Sequence, residues 1–326
     1  MDTAQRRAIA EAAAALRRGE LVGMPTETVY GLAGDATNPD AVQKIFALKG
    51  RPADHPLIVH VSGANMLPRY AARVTPLAEK LAEAFWPGPL TLIVERGAAI
   101  SEQVTGGQAS LGLRAPAHPM AQALLAAFDG PLAAPSANRF GRVSPTTAAH
   151  VRAEFGSALG LILDGGPSSI GIESTIVDAR GTAPRILRPG MINAAHIVAV
   201  VGTLADSQPD LSPRVSGALV SHYAPDTPLA VLDRAALTIC AKQLLERQLI
   251  PRLLMREHLP EGLCGIALPD SPSLYAQQLY AALRALDALG ADALLVEAPP
   301  DSLPWRAIHD RLRRAASGVG IACYTP

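Results

Sequence analysis

The chain has 326 residues, 29 acidic and 29 basic side chains and 49% hydrophobic residues, so it folds as a globular protein with room for two domains. Its charge balance argues against gripping a nucleic-acid backbone as the main role: residues 1–205 carry 18 Lys/Arg against 16 Asp/Glu, and residues 206–326 carry 11 against 13. No apolar run reaches the roughly 18–20 residues of a membrane span, and Met1-Asp2-Thr3-Ala4 lacks the regions of a signal peptide, so a cytoplasmic protein without membrane contact is expected. Cys240, Cys264 and Cys323 are far apart and form no CxxC pair, which leads us to expect isolated buried thiols.

Residues 3–18 read as an alanine-rich helix with Ile9, Ala12, Ala13 and Leu16 on one face. Leu21–Met24 reads as a buried strand stopped by Pro25, which places the hydroxyls of Thr26 and Thr28 at a strand's end, where open α/β sheets hold ligands. Asn38-Pro39-Asp40 has the form of a helix cap with proline at the first helical position. Val42, Ile45 and Phe46 follow at helical spacing, and Gly50 suits the position past the helix end. Lys49 and Arg51 then lie at a helix C-terminus and in the turn beyond it. Two cations beside two hydroxyls fit a polyanionic substrate; a surface turn with solvated charge is the other reading of the same pattern.

Further strands are expected at Leu57–Val61, Leu90–Val94, Ser110–Arg114, Leu132–Ala134, Leu161–Leu163, Ser174–Asp178 and Arg185–Leu187. Helices are expected around Leu77, Leu81 and Phe85, from Pro119 through Phe128, and after Ser144-Pro145, with Ser144 as the cap. The mixture lacks a strict βαβ rhythm, so a twisted mixed sheet with packed helices follows. Residues 206–228 are polar and broken by Pro, Ser and Gly, as a linker would be. Beyond them strands and helices alternate: Leu229–Leu232, 235–247, Leu253–Met255, Gly265–Leu268, Pro272–Leu289, Ala293–Val296 and 304–316. That is the rhythm of a smaller α/β domain with a mostly parallel sheet.

Four more clusters fall at strand ends or loops. Ser110, Gly112 and Arg114 share one face of a strand, and an arginine there can clamp a carboxylate or phosphate, or point to water as an edge-strand residue. Ser136 and Asn138 follow a buried strand and Ser144 precedes a helix, which suits phosphate or ordinary capping. Glu173-Ser174-Thr175 opens a strand, and Arg188 ends another before Pro189-Gly190. HExxH, GxSxG and P-loop patterns do not occur. Neither a protein metal site nor a covalent nucleophile is expected, which leaves positioning and electrostatic stabilisation of a phosphoryl centre.

Pro25-Thr26-Glu27-Thr28-Val29-Tyr30-Gly31-Leu32, Lys49-Gly50-Arg51-Pro52 and Pro56-Leu57-Ile58-Val59-His60 resemble the opening signature of the YrdC-like threonylcarbamoyl-AMP synthases. Pro135-Ser136-Ala137-Asn138, Glu173-Ser174-Thr175 and Leu187-Arg188-Pro189-Gly190 follow in the order that family has them. Each piece is weak alone; the ordered series is specific, and it covers nearly the whole chain. The resemblance implies a YrdC-like catalytic domain over 1–205, a linker or lid over 206–228 and a smaller Rossmann-like α/β domain over 229–326, the long two-domain form. It implies an ATP-dependent nucleotidyltransferase that joins L-threonine and bicarbonate to AMP, with Mg²⁺ arriving on ATP. The product would pass to the machinery that makes threonylcarbamoyladenosine in transfer RNA.

By the same resemblance, threonine would be held by Thr28, His60, Arg114, Ser174 and the backbone at Ala134, with Arg114 on its carboxylate. ATP would lie against Lys49, Arg51, His55, Ser110, Ser136, Asn138, Ser144 and Arg188, with His222 or Tyr223 closing over it. Lys49 and Arg51 would neutralise charge on the reacting triphosphate. His55 stands where the family pattern has Asn, and Arg214-Val215-Ser216-Gly217 stands where many relatives have a Pro-Gly-Met turn. The rivals are a carbamoyltransferase of the hydrogenase-maturation type, disfavoured by the lack of its zinc-finger and acylphosphatase segments, and a double-stranded-RNA-binding module making an RNA contact without turnover.

Overall fold

The computed structural model describes residues 1–205, 212–217 and 222–316. It divides into two compact units. The first comprises Met1–Phe140, Pro145–Ser169 and the described part of Glu173–Ala218; the second comprises Gly141–Ser144, Ile170–Ile172 and the described residues from 222 onward.

In the first unit the elements run α1 (Thr3–Arg17), β1 (Val22–Met24), β2 (Gly31–Asp35), α2 (Pro39–Lys49), β3 (Ile58–His60), α3 (Leu67–Tyr70), α4 (Pro76–Phe85), β4 (Leu90–Glu95), α5 (Glu102–Thr105) and β5 (Ser110–Arg114). They continue with α6 (Pro119–Phe128), β6 (Leu132–Ala133), α7 (Ala148–Phe155), β7 (Leu161–Ile162), β8 (Thr175–Asp178), β9 (Arg185–Arg188) and α8 (Ala194–Val201). The strands form one nine-stranded mixed sheet in the order β7-β1-β2-β6-β3-β5-β4-β8-β9. Both faces are covered, and β2 shows it within one step: Leu32 joins the core with Val42, Ile45, Leu81, Val151 and Ile197, whereas Ala33 joins the core with Ile9, Leu16, Leu124 and Leu132. Successive strand residues point to opposite faces, so each face needs its own helices.

Local chemistry sets the segment that matters most. The Asn38 side chain accepts the N–H groups of Asp40 and Ala41, Pro39 takes the first helical position, and Gly50 closes α2 at φ 63°, in the left-handed region open to glycine. Lys49 is therefore the last helical residue, with its side chain buried.

The structure corrects several expectations. Ser144 is not a helix cap: α7 starts at Ala148, and the Thr147 hydroxyl accepts the His150 N–H. The backbone before it is committed elsewhere, with the Pro145 carbonyl accepting the Tyr30 N–H. Strand β2 and helix α8 were not expected, β2 because Gly-Leu-Ala-Gly-Asp has little strand propensity and is held by pairing with β1 and β6. Cys240 is buried as expected, but Cys264 is an exposed free thiol, so the expectation of buried thiols fails there; Cys323 lies outside the described residues.

The second unit holds β10 (Leu229–Leu232), α9 (Arg234–Glu246), β11 (Pro251–Arg256), β12 (Gly265–Leu268), α10 (Pro272–Asp287), β13 (Ala293–Glu297) and α11 (Arg306–Ala316). Its four described strands are all parallel, in the order β10-β13-β11-β12. Leu237, Cys240 and Leu244 of α9 pack on Leu253, Met255 and Leu295 of the sheet. Among the described residues no helix is long and apolar enough to cross a membrane.

Gly190, beyond β9, packs its Cα against the entrance of β8. A side chain there would collide with the Thr175 backbone nitrogen and lie 2.6 Å from the Thr175 hydroxyl oxygen. Gly190→Ala should therefore cost about 1–3 kcal/mol, read as a lower urea midpoint with an unchanged slope; an unaltered midpoint would contradict this close approach.

Candidate active site

The turn after β1 is closed by one hydroxyl. Thr26 Oγ1 donates to the Val29 carbonyl at 2.5 Å and accepts the N–H groups of Thr28 at 3.3 Å and Val29 at 3.2 Å. With its proton committed to that carbonyl, Thr26 accepts from the Thr28 hydroxyl at 2.9 Å. Thr28 Oγ1 in turn accepts from Arg114 Nη1 at 2.8 Å. Arg114 ends β5 beside His60, its register partner on the parallel strand β3, so the two side chains leave the same face. Burial, then the neighbouring Arg114 charge, pushes the His60 pKa down to about 3. The imidazole is neutral at physiological pH, and its Nδ1 is buried without a hydrogen-bond partner.

A second group gathers around the loop after β6. Lys49 Nζ donates to the carbonyls of Ser136 and Asn138, each at 2.5 Å, and so clamps the loop that carries both side chains. Burial, followed by the charge of Arg51, holds the Lys49 ammonium well below the usual lysine range. Arg51 Nη2 donates to the Pro56 carbonyl at 2.8 Å and to Ser216 Oγ at 3.2 Å, and its guanidinium lies 5.6 Å from the Phe140 ring centre. The His55 ring meets Phe140 edge-on at 5.2 Å, and partial burial, then Arg51, lowers its pKa.

Arg188 completes the set. Its Nε and Nη2 donate to the Ser174 carbonyl at 3.1 and 3.0 Å, Nη2 also to Ser174 Oγ at 3.1 Å, and Nη1 to the Ser216 carbonyl at 2.9 Å. Ser174 Oγ is 2.7 Å from Thr91 Oγ1. Ser216 therefore bridges Arg51 and Arg188, and the preceding Val215 packs on Ile93 and Ile176. Short as it is, this described piece of the linker is built into the first unit.

Ser110 is buried at the start of β5, opposite Glu95 in register. The Ala134 N–H is spent on the Ile58 carbonyl at 3.0 Å, so a ligand would meet the carbonyl of Ala134 and not its N–H. Ser144, His222 and Tyr223 belong to the second unit, where Tyr223 stacks on Tyr280 at 5.9 Å and lies under the Arg311 guanidinium. Conversely, Glu27, Thr91, Phe140 and Ser216 take part without having been singled out. Glu27 lay inside the quoted motif and Ser216 inside the quoted linker stretch; Thr91 and Phe140 gave no local signal.

Charge decides what this arrangement can hold. Lys49, Arg51, Arg114 and Arg188 are all at most 7% exposed. The buried carboxylates described in the first unit are Glu27, Glu173 and Asp178, and Asp178 is paired with Arg180. Two positive charges are left in excess, in a place where burying charge is costly. No group of three His, Cys, Asp or Glu among the described residues is placed to hold a metal ion.

The His60 shift makes a stability prediction. The unfolded side chain binds a proton near pH 6.5 and the folded one only near pH 3, so this contribution is complete above about 6.5 and declines as pH falls toward 3. Between pH 7 and pH 5 the parent should lose ~2 kcal/mol through this group, and His60→Gln should be spared that loss in urea titrations. Equal losses would contradict the buried neutral imidazole.

Residues 14–190 match the family model described as "Telomere recombination", which groups the Sua5, YciO and YrdC proteins, and residues 192–317 match the model "Threonylcarbamoyl-AMP synthase, C-terminal domain". The threonylcarbamoyl-AMP synthase of Bacillus subtilis is 38% identical over 95% of this chain and 93% of its own, and that of Pyrococcus abyssi 36% identical over 94% and 93%. The crystal structure of P. abyssi Sua5 complexed with L-threonine superposes with a TM-score of 0.88 at 35% identity, covering 94% of each chain. Two matched models and full-length relatives leave one assignment: the chain belongs to the threonylcarbamoyl-AMP synthase family.

Proposed function

We propose that this protein is an L-threonylcarbamoyladenylate synthase, converting ATP, L-threonine and bicarbonate to threonylcarbamoyl-AMP and pyrophosphate for threonylcarbamoyladenosine formation in transfer RNA. The observation that carries the reading is the excess of buried positive charge among Lys49, Arg51, Arg114 and Arg188, which calls for an anionic ligand. Family membership and a threonine-bound relative support the substrate pair.

In this reading threonine's amine combines with bicarbonate to give a carbamate and water, and a carbamate oxygen attacks the α-phosphorus of ATP as pyrophosphate leaves. Arg114 receives the threonine carboxylate in a bidentate contact, with Thr28 and the neutral His60 beside it. Since His60 carries no charge, it can accept a hydrogen bond at Nδ1 without repelling an ammonium group. Arg51 and Arg188 exchange Ser216 for the phosphates. Lys49 holds the 136–138 loop until a phosphate offers its ammonium a better acceptor. Mg²⁺ enters as part of the ATP substrate. ATP and transfer RNA as the connected pools make the cytoplasm the expected compartment.

Purified protein given Mg-ATP should release pyrophosphate only when both L-threonine and bicarbonate are present. Lys49→Ala and Arg51→Ala should each lower the rate by ~10²-fold or more. Release indifferent to threonine, or unaffected by both substitutions, would overturn the reading. Ser216→Ala should lower the ATP concentration needed for half-maximal rate, because it removes a competitor for Arg51; a raised requirement would assign Ser216 to ATP itself.

A further inference from the structure

Glu27 occupies an unusual place for a carboxylate. It sits between Thr26 and Thr28 in the turn that Thr26 closes, it is 6% exposed, and its Oε1 is 2.6 Å from Arg114 Nη2. Neither of its oxygens meets a donor in hydrogen-bond geometry, so the contact is mainly charge against charge. Arg114 is itself 4% exposed and is held at its other nitrogens by the Thr28 hydroxyl at 2.8 Å and the Gly88 carbonyl at 3.2 Å. Three fixed contacts, one at each guanidinium nitrogen, determine the plane of the group. A guanidinium has five N–H donors; two are spent on Thr28 and Gly88, and the three that remain are enough to meet a planar carboxylate with two side by side.

We propose that Glu27 is a positioning residue for threonine recognition: it fixes the Arg114 guanidinium in the orientation that receives the substrate's carboxylate and balances its charge while the site is empty. The proposal rests on the reading of Arg114 as carboxylate receptor. Without Glu27, a buried cation would stand against two neutral acceptors, free to turn toward any nearby carbonyl and costly to keep. The opposite role is also definite. A carboxylate lying on the guanidinium could act as an internal competitor that threonine must displace. The two roles differ in sign, which makes the test sharp.

The full-length enzyme is assayed by pyrophosphate release with L-threonine, and its affinity is measured for L-threonine and for L-threoninol, which lacks the carboxylate. Glu27→Gln keeps the shape and removes the charge. It should raise the KM for threonine about tenfold or more, with kcat changed far less, and leave threoninol affinity as in the parent. Glu27→Asp, which keeps the charge on a shorter arm, should recover part of the loss. An unchanged or lowered threonine KM in Glu27→Gln overturns the proposal, the latter in favour of the competitor role. Loss of threonine and threoninol affinity alike also overturns it, in favour of a scaffold role. Arg114→Lys separates the underlying reading: if threonine still binds better than threoninol by the parental ratio, Arg114 is not the carboxylate receptor, whatever Glu27 does.

Discussion

Four cations held out of water, with too few carboxylates to match them, are the constraint around which the first unit is built. An ammonium or guanidinium in a protein interior needs acceptors on every side it presents. The loops around the sheet provide them as backbone carbonyls: those of Ser136 and Asn138 for Lys49, Pro56 for Arg51, Gly88 for Arg114, and Ser174 and Ser216 for Arg188. Carbonyls solvate a cation without cancelling it. Each loop that donates one is thereby fixed by the charge it serves, and the positive potential survives for an anionic ligand.

Helix α2 delivers two of the four. Its cap at Asn38 and its left-handed stop at Gly50 set where the helix ends, and therefore that Lys49 turns inward while Arg51 starts the next segment. The mixed order of the sheet delivers the rest. Parallel pairing of β3 with β5 lines up His60 and Arg114, and the return of β8 beside β4 brings Ser174 to Thr91 and Arg188. Under the proposed function, substrate handling would divide accordingly: a neutral imidazole and one guanidinium for the amino acid, and a lysine with two arginines for phosphates.

What the sequence made legible was local. The α2 boundaries, the β5 span and the alternation of strand and helix in the second unit follow from caps, glycine and periodicity, and the structure places them within a residue or two. Strand β2 was missed because its glycine-rich sequence is a strand only by virtue of its neighbours. Ser144 was misread because Ser-Pro looks like a cap wherever it stands, while the true cap, Thr147, lies three residues on. The ordered motifs picked out Thr28, Lys49, Arg51, Arg114 and Arg188 by resemblance, and spacing alone left Lys49, Arg51 and Arg114 with an ordinary surface alternative. Glu27 against Arg114, or Ser216 against Arg51, depends on contacts between residues tens to more than a hundred positions apart. No window of sequence contains both partners.

The central claim is that this buried positive site activates threonine by joining it, through a carbon taken from bicarbonate, to AMP. Mass spectrometry of the nucleotide fraction after a single turnover with carbon-13 bicarbonate tests it directly. The account predicts an adenylate containing threonine and the labelled carbon, and absent when Arg51→Ala replaces the parent. AMP or an adenylate without the label would contradict it.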